Sequence, residues 1–330
     1  MRVLAGDIGG TNARLAIVEV TGKAARIERQ ERYATAQEPS LVPIVRRFLA
    51  AGGTPPARAC FGVACRVIQG VCRPANLPWT IDEGELAAAI GIGRTSIIND
   101  FDAIGHGLEF LDPRDVETLQ QGQPVAHGPI ALIGAGTGLG EAMLIWDGSR
   151  YLVRPSEGGH VNFAARNELE WGLYRAVRSE FDHVSYERVV SGPGLIRIYR
   201  YLAVTRGNEN NDVRDEMKGA DPAAVIVRHG LADSDPLCVE AVNLFTSILG
   251  AQAGNLALTI LALGGVYIAG GIAPRMVSKL RTGPFLPAFN DKGRLSPFVA
   301  RVPVHVIMNT NVGLLGAAGV AAGDRLAAED

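Results

Sequence analysis

The most constraining feature of the chain is the stretch Leu4 to Val18, which reads Leu-Ala-Gly-Asp-Ile-Gly-Gly-Thr-Asn-Ala-Arg-Leu-Ala-Ile-Val. Val3 to Ala5 and Leu15 to Val20 are short apolar runs, and the polar, glycine-containing segment between them reads as the turn of a β-hairpin. Gly9 and Gly10 carry no Cβ to keep an anion off the backbone, so consecutive N–H groups there can cradle a phosphate. Asp7 offers a carboxylate suited to a hydrated magnesium ion, and Thr11 and Asn12 add side-chain donors. A Walker A loop requires Gly-Lys-Ser/Thr, and no lysine precedes Lys23. Taken alone, the stretch also reads as an ordinary glycine-rich hairpin with a capping aspartate.

A second turn of the same kind follows. The strand Ile130 to Ile133 leads into Gly134-Ala135-Gly136-Thr137-Gly138-Leu139-Gly140, and a further strand, Glu141 to Trp146, leaves it. The turn does not fit a dinucleotide fingerprint. Counted from Gly134 the third glycine of G-x-G-x-x-G falls on Leu139, counted from Gly136 it falls on Glu141, and a strand follows where a helix is required. Two such hairpins can grip the ends of one triphosphate, which gives Gly136, Thr137 and Gly138 a phosphate role. Gly270-Gly271, after the buried strand Val266 to Ala269, fits either the floor of an adenosine site or a helix start packed closely on a strand.

Asn99-Asp100 ends the short strand Thr95 to Ile98, at the sheet edge where open α/β folds place ligands. Asp100 there can accept the proton of an attacking hydroxyl, or it can cap a helix running from Phe101 to Phe110. Glu157 and His160, joined by Gly158-Gly159, and Glu187 supply the acceptors and donors that a polyhydroxylated ring needs. A Glu-x-x-His metal pair is disfavoured, because no second histidine lies at helical spacing and the glycines argue against a helix.

The remaining elements alternate strand and helix. Apolar residues recur at helical spacing over Leu41 to Leu49, and Ala59 to Ala64 reads as a strand covered on both faces. Asp82-x-x-Glu85 and Asn167-x-x-Glu170 are capping boxes, with Gly91 placed to stop the first of these helices. Asp221-Pro222 opens another helix. The polar segment Arg206 to Gly219 reads as irregular. The apolar helix near Leu244 to Leu261 leads into Val266 to Ala269, and a last strand, Val302 to Met308, precedes a helix beginning at Asn311. A polar run from Asp112 to Gln123 marks the boundary between a small domain, residues 1–110 with 301–330, and a large one, residues 111–300.

The 330 residues suffice for two such domains. A net charge of −2 without blocks of like charge points away from nucleic acid and anionic membranes. No signal-peptide pattern is seen, and the uncharged stretch between Glu240 and Arg275 divides into a buried helix and a buried strand rather than a membrane span. Cys60, Cys65, Cys72 and Cys238 lack zinc spacing and are expected as buried free thiols in a reducing, cytoplasmic setting.

Asp-x-Gly-Gly-Thr-Asn resembles the first phosphate motif of the actin, heat-shock ATPase and sugar kinase superfamily. The full set of motifs is similar to the bacterial ATP-dependent glucokinase family over Gly6 to about Gly319. The residues carrying it are Gly6 to Arg14, Ile98-Asn99-Asp100-Phe101, Gly134 to Gly140, Ser156 to His160, Glu187 to Leu195, Gly264 to Ile272 and Gly313 to Ala317. The resemblance implies a two-lobed, actin-like (ribonuclease H-like) α/β fold with a cleft between a small and a large domain, and a homodimer. It implies phosphoryl transfer from MgATP to glucose. Asp100 would be the base, with Asn99, Glu157, His160 and Glu187 holding the sugar. The zinc-binding cysteine cluster of the related repressor and open-reading-frame kinase branch is absent after His160. Ala64-Cys65-Arg66 and Ala75-Asn76 depart from the family's Ala-Cys-Pro and Thr-Asn, which bears on sugar preference more than on the reaction. Three alternatives stand beside this reading: a kinase for another hexose, a sugar-sensing regulator, for which no helix-turn-helix is expected ahead of the hairpin at residue 4, and a filament-type or chaperone-type ATPase.

Overall fold

The computed structural model describes residues 1–323. The chain divides into two compact units, one formed by Met1–Asp115, Val153–Pro155 and the chain from Asn309, the other by Val116–Leu152 and Ser156–Met308.

In the first unit β1 (Arg2–Ile8), β2 (Asn12–Thr21), β3 (Ala24–Ala34), β4 (Arg58–Val63) and β8 (Arg94–Asn99) form a mixed sheet in the order β3-β2-β1-β4-β8. β1 and β2 pair antiparallel with Asp7 opposite Arg14, while β4 runs parallel to both β1 and β8. The opening hairpin is thus tighter than expected. Its strands reach Ile8 and resume at Asn12, so Asp7 is a strand residue rather than a turn residue.

Alternate residues of β1 and β2 feed two cores, as strand periodicity requires. Leu4, Ile8, Leu15 and Ile17 meet Leu41, Ile44 and Phe48 of α1 (Leu41–Ala50). Val3, Ala5, Ala16 and Val18 meet the C-terminal helix Val312–Ala322. Between β4 and β8 lie the two-residue strands β5 (Val67–Ile68), β6 (Val71–Cys72) and β7 (Ile81–Asp82), which form a small antiparallel sheet, and then α2 (Glu83–Ile90). Asp82 caps α2 by accepting from the Glu85 N–H, and Gly91 closes it with φ +72°.

The expectation for the cysteines is corrected here. Cys65 and Cys72 are disulfide-bonded with Cα atoms 6.2 Å apart, and only Cys60 and Cys238 are buried free thiols. The β5–β6 hairpin brings the two chain segments within bonding range, which spacing along the sequence does not reveal.

The second unit holds a six-stranded mixed sheet in the order β12-β11-β10-β13-β14-β9. Its strands are β9 (Val116–Gln120), β10 (Ile130–Ala135), β11 (Leu139–Trp146), β12 (Tyr151–Ser156, whose middle residues Val153–Pro155 are grouped with the first unit), β13 (Gly265–Ala269) and β14 (Val304–Ile307). The polar run read as a boundary contains β9, which pairs antiparallel with β14. An edge strand needs only one buried face, so its polar composition hid it. β14 lies between β13 and β9, which places residues 301–308 with the second unit rather than the first.

The helices of this unit include α4 (Glu168–Arg178), α5 (Tyr186–Val189), α6 (Gly192–Arg206), α7 (Asn211–Gly219), α8 (Pro222–Leu231) and α9 (Pro236–Ile260). The segment read as irregular is largely α7, whose Asn210 cap and single buried Val213 carry a weak periodic signal. α9 starts eight residues earlier than expected, on an Asp235-Pro236 cap like that of α8. By length and composition it could cross a membrane, yet 78% of its apolar window is buried within the unit, where Phe245, Ile248 and Ala253 join the core.

α3 (Asp100–Gly107) leaves β8 and packs on the C-terminal helix at backbone contact. A Cβ on Gly316 would overlap the carbonyl oxygen of Ala103, and one on Gly107 would overlap that of Val312. This contact fixes the axis of the helix that begins with Asp100. Gly316→Val should therefore destabilise the protein by about 2 kcal/mol or more, the cost of overpacking a closed interface. An unchanged denaturation midpoint would show that the two helices can separate freely.

Candidate active site

Residues 135–139 join β10 to β11 and shape two neighbouring features of the second unit. The Gly136 N–H donates to Gly138 O at 2.8 Å, and the Gly136 carbonyl accepts from the Gly192 N–H at 2.8 Å, which fastens the turn to the start of α6. Beside it lies a cavity of about 430 Å³. Gly136 and Thr137 form one wall, Gly192, Pro193 and Ile196 of α6 another, Ala223 and Val227 of α8 a third, and Ile272 with Arg275 the last. Its size suits a ligand of nucleoside dimensions. Gly270 is required to be glycine. Its φ of +87° and the closeness of the Ala135 carbonyl, 2.5 Å from where a Cβ would sit, make it a packing glycine, whereas Gly271 borders open space.

The far end of the same turn carries an acid–imidazole–acid cluster. Leu139 N–H donates to Glu187 Oε2 at 3.0 Å, and a Cβ on Gly138 would lie 2.5 Å from that oxygen. His160 Nε2 stands 3.9 Å from Glu187 Oε2 and 4.0 Å from Glu157 Oε2. The backbone explains the alignment. Phe163 N–H donates to Val184 O at 2.9 Å and Tyr186 N–H to Val161 O at 3.1 Å, so the segment after His160 runs beside the segment before Glu187. Gly158 and Gly159 allow the short helix Gly158–His160 to rest directly on β11, since Cβ atoms there would overlap Glu141 Oε2 and the Leu139 carbonyl. The side chains of Glu157 and His160 stay more than half exposed, at 63% and 58%, which leaves them open to a ligand.

In the first unit Asn99, not Asp100, caps α3. Its Oδ1 accepts from the N–H groups of Phe101 at 2.9 Å and Asp102 at 3.4 Å, and its Nδ2 donates to Cys65 O at 3.1 Å. Asp100 is the first residue of that helix, and its Oδ1 accepts from the Phe101 N–H at 3.0 Å. Asp7 is paired with Arg14 through Oδ2, with Arg14 Nε at 3.1 Å, and Arg14 also donates to Thr310 O at 2.7 Å. In the hairpin turn the Gly9 N–H is spent on Asn12 O at 2.9 Å, so it is not one of the free donors expected of this loop. Asn12 Oδ1 accepts from Arg32 at 2.8 Å, and Gly10 lies against Asn76, whose Cβ is 2.9 Å from where its own would be.

A family model described as Glucokinase matches residues 4–324. The chain belongs to the glucokinase family. The glucokinase of a Nostoc species is 43% identical over 97% of this chain and 98% of its own length. A crystal structure of glucokinase from an Antarctic psychrotroph has a TM-score of 0.81 at 34% identity, covering 97% of this chain and 98% of that one. A Streptomyces griseus glucokinase crystallised with glucose and AMPPNP shares the fold, with a TM-score of 0.69 at 20% identity over 97% and 99% of the two chains. The actin-like class of α/β fold and the activity of an ATP-dependent hexose kinase are thereby established, as the motifs implied.

Several residues that shape this glucokinase-family site carry no signal of their own in the sequence. Nothing in the first motif marks Arg14 as the partner of Asp7, and the α8 wall has no signature beyond its cap. Glu141 is 2% exposed, and its Oε1 accepts from Gln252 Nε2 at 2.9 Å. Gln252 in turn accepts from Asn255, which donates to the Tyr186 hydroxyl at 3.1 Å, one residue from Glu187. Burial pushes the Glu141 carboxyl above the usual range, with the Gln252 amide opposing the shift. The fold therefore favours the protonated form, and stability falls as pH rises through the folded-state pKa. Glu141→Gln should gain thermal stability over the parent at pH 8 and show no such gain at about pH 4, below the unfolded glutamate pKa. Equal shifts at both pH values, read by calorimetry, would remove the ionisation cost.

Proposed function

We propose that this kinase moves the γ-phosphoryl group of MgATP to the 6-hydroxyl of glucose, with Asp100 as general base. The observation that carries the reading is the shared turn of the second unit, with a nucleoside-sized cavity at one end and the Glu157, His160 and Glu187 cluster at the other. The purine and ribose occupy the cavity, and the backbone of Gly136, Thr137 and Gly138 receives the phosphates. In the first unit, Gly10, Thr11 and the amide of Asn12 are further phosphate donors, with Gly9 shaping the turn.

Asp7 fits a magnesium role through water, because Arg14 engages only Oδ2 and leaves Oδ1 for a coordinated water. The chemistry a magnesium ion held there would supply is neutralisation of the charge that develops on the transferred phosphoryl group. Glu157 and Glu187 accept from sugar hydroxyls. With Oδ1 and one amide hydrogen committed, Asn99 has one N–H left to donate. The same reading makes Asn99 a sugar ligand and Asp100 the acceptor of the 6-hydroxyl proton, with water excluded as a competing acceptor. A homodimer belongs to it on the strength of the resemblance, and a cytoplasmic location on the missing signal-peptide pattern.

Coupled assays should show ATP consumption only with glucose present. Asp100→Asn should lower kcat by about 10² or more while the glucose KM stays within a few-fold. Unchanged turnover in that variant would end the base assignment. Ala223→Phe, which fills the cavity, should raise the ATP KM at least about tenfold and spare the glucose KM; the reverse pattern would relocate the nucleotide.

A further inference from the structure

We propose that Cys65 and Cys72 are a reversible dithiol–disulfide modification site whose oxidation state sets the affinity for glucose. The link to affinity rests on the proposed sugar role of Asn99. Three observations carry it. The Cys65 carbonyl accepts from Asn99 Nδ2, so the position of this one backbone group orients the side chain offered to the sugar. Beyond Cys72 the chain reaches Asn76, which lies against Gly10 of the phosphate hairpin. Between these two ends, regular hydrogen bonding is confined to the two-residue strands β5 and β6 and the equally short β7. Hairpins that small are marginal on their own, so the covalent link adds a restraint to the packing of Cys72, Leu77 and Trp79 in the first unit's core.

The pair is also reachable, unlike the other two cysteines. Cys60 is wholly buried with its thiol pushed up to about 12 by desolvation, and Cys238 is wholly buried as well. Cys72 is 2% exposed, but Cys65 is only half-buried. A dithiol reductant can thus attack Cys65 Sγ as thiolate. The S–S bond breaks, Cys72 leaves as thiolate and takes up a proton, and the mixed disulfide is resolved by the reductant's second thiol. Two electrons and two protons pass to the protein, and the reductant departs as a cyclic disulfide.

The test uses the full-length enzyme equilibrated in buffers of reduced and oxidised dithiothreitol at varied ratio. Under denaturant the oxidised protein should titrate two thiols and the reduced protein all four of its cysteines, with a peptide map showing the 65–72 link. Reduction should raise the glucose KM roughly three- to tenfold, the range for one weakened hydrogen bond, and leave kcat within about twofold. Cys72→Ser and Cys65→Ser should hold the reduced KM in every buffer. Four thiols throughout, or a formed disulfide with no change in glucose KM, would overturn the proposal, and this wild-type titration decides even where a variant folds poorly. Asn99→Ala separates the two readings: if it leaves the glucose KM unchanged, the sugar role of Asn99 fails together with the link to affinity. The peptide map still judges the disulfide chemistry alone.

Discussion

The hydrogen bond from Leu139 N–H to the Glu187 carboxylate is the constraint on which the rest of the second unit's site depends. It pins the acid of a short helix to the exit of the turn between β10 and β11, and Gly138 makes the approach possible by presenting no side chain. The entrance of the same turn is fastened to α6 through Gly136 and Gly192. A few residues therefore set both the wall of the cavity and the position of the charged cluster. A displacement of this turn moves both together, which suits a reaction whose rate depends on holding two reactants in register.

The first unit solves a comparable problem by different means. Asn99 ends a buried parallel strand and caps the helix that follows, so Asp100 enters at a fixed point on the first helical turn. Backbone contact between that helix and the C-terminal one, through Gly107 and Gly316, removes its freedom to rotate. Asp7 is held in its strand by Arg14, which in turn reaches the segment before the C-terminal helix. Asp7, Asn99 and Asp100 each have a hydrogen bond that directs the side chain, an arrangement that limits reorganisation.

Under the cluster, Glu141, Gln252, Asn255 and Tyr186 form a buried polar chain reaching from β11 through α9 to α5. Burying a carboxyl is costly unless it is neutral or bonded, and here burial and the Gln252 bond act in opposite directions on its proton. Such a chain specifies the packing of α9 against the strand more sharply than apolar contacts do, because a shift of register would leave its members unpaired.

The sequence by itself determined the glycine turns, the helix caps at Asp82, Asn167 and Asp221 and the strand–helix alternation, and it nominated residues for phosphate and sugar. Those signals are local: a missing Cβ, a cap three residues from its partner, or a period of two or 3.6. It misread β9, which is half-buried throughout, and α7, which buries only Val213, and it left Cys65 and Cys72 apart because their meeting depends on a hairpin of two-residue strands. Only the tertiary structure decided that Gly9 spends its N–H within its own turn, that Gly270 serves packing, and that a buried Glu141 lies beneath Gly158. The reason is physical: what a residue can do is written in its side chain, but whether its donors, acceptors and protons remain available depends on neighbours brought there by distant parts of the chain.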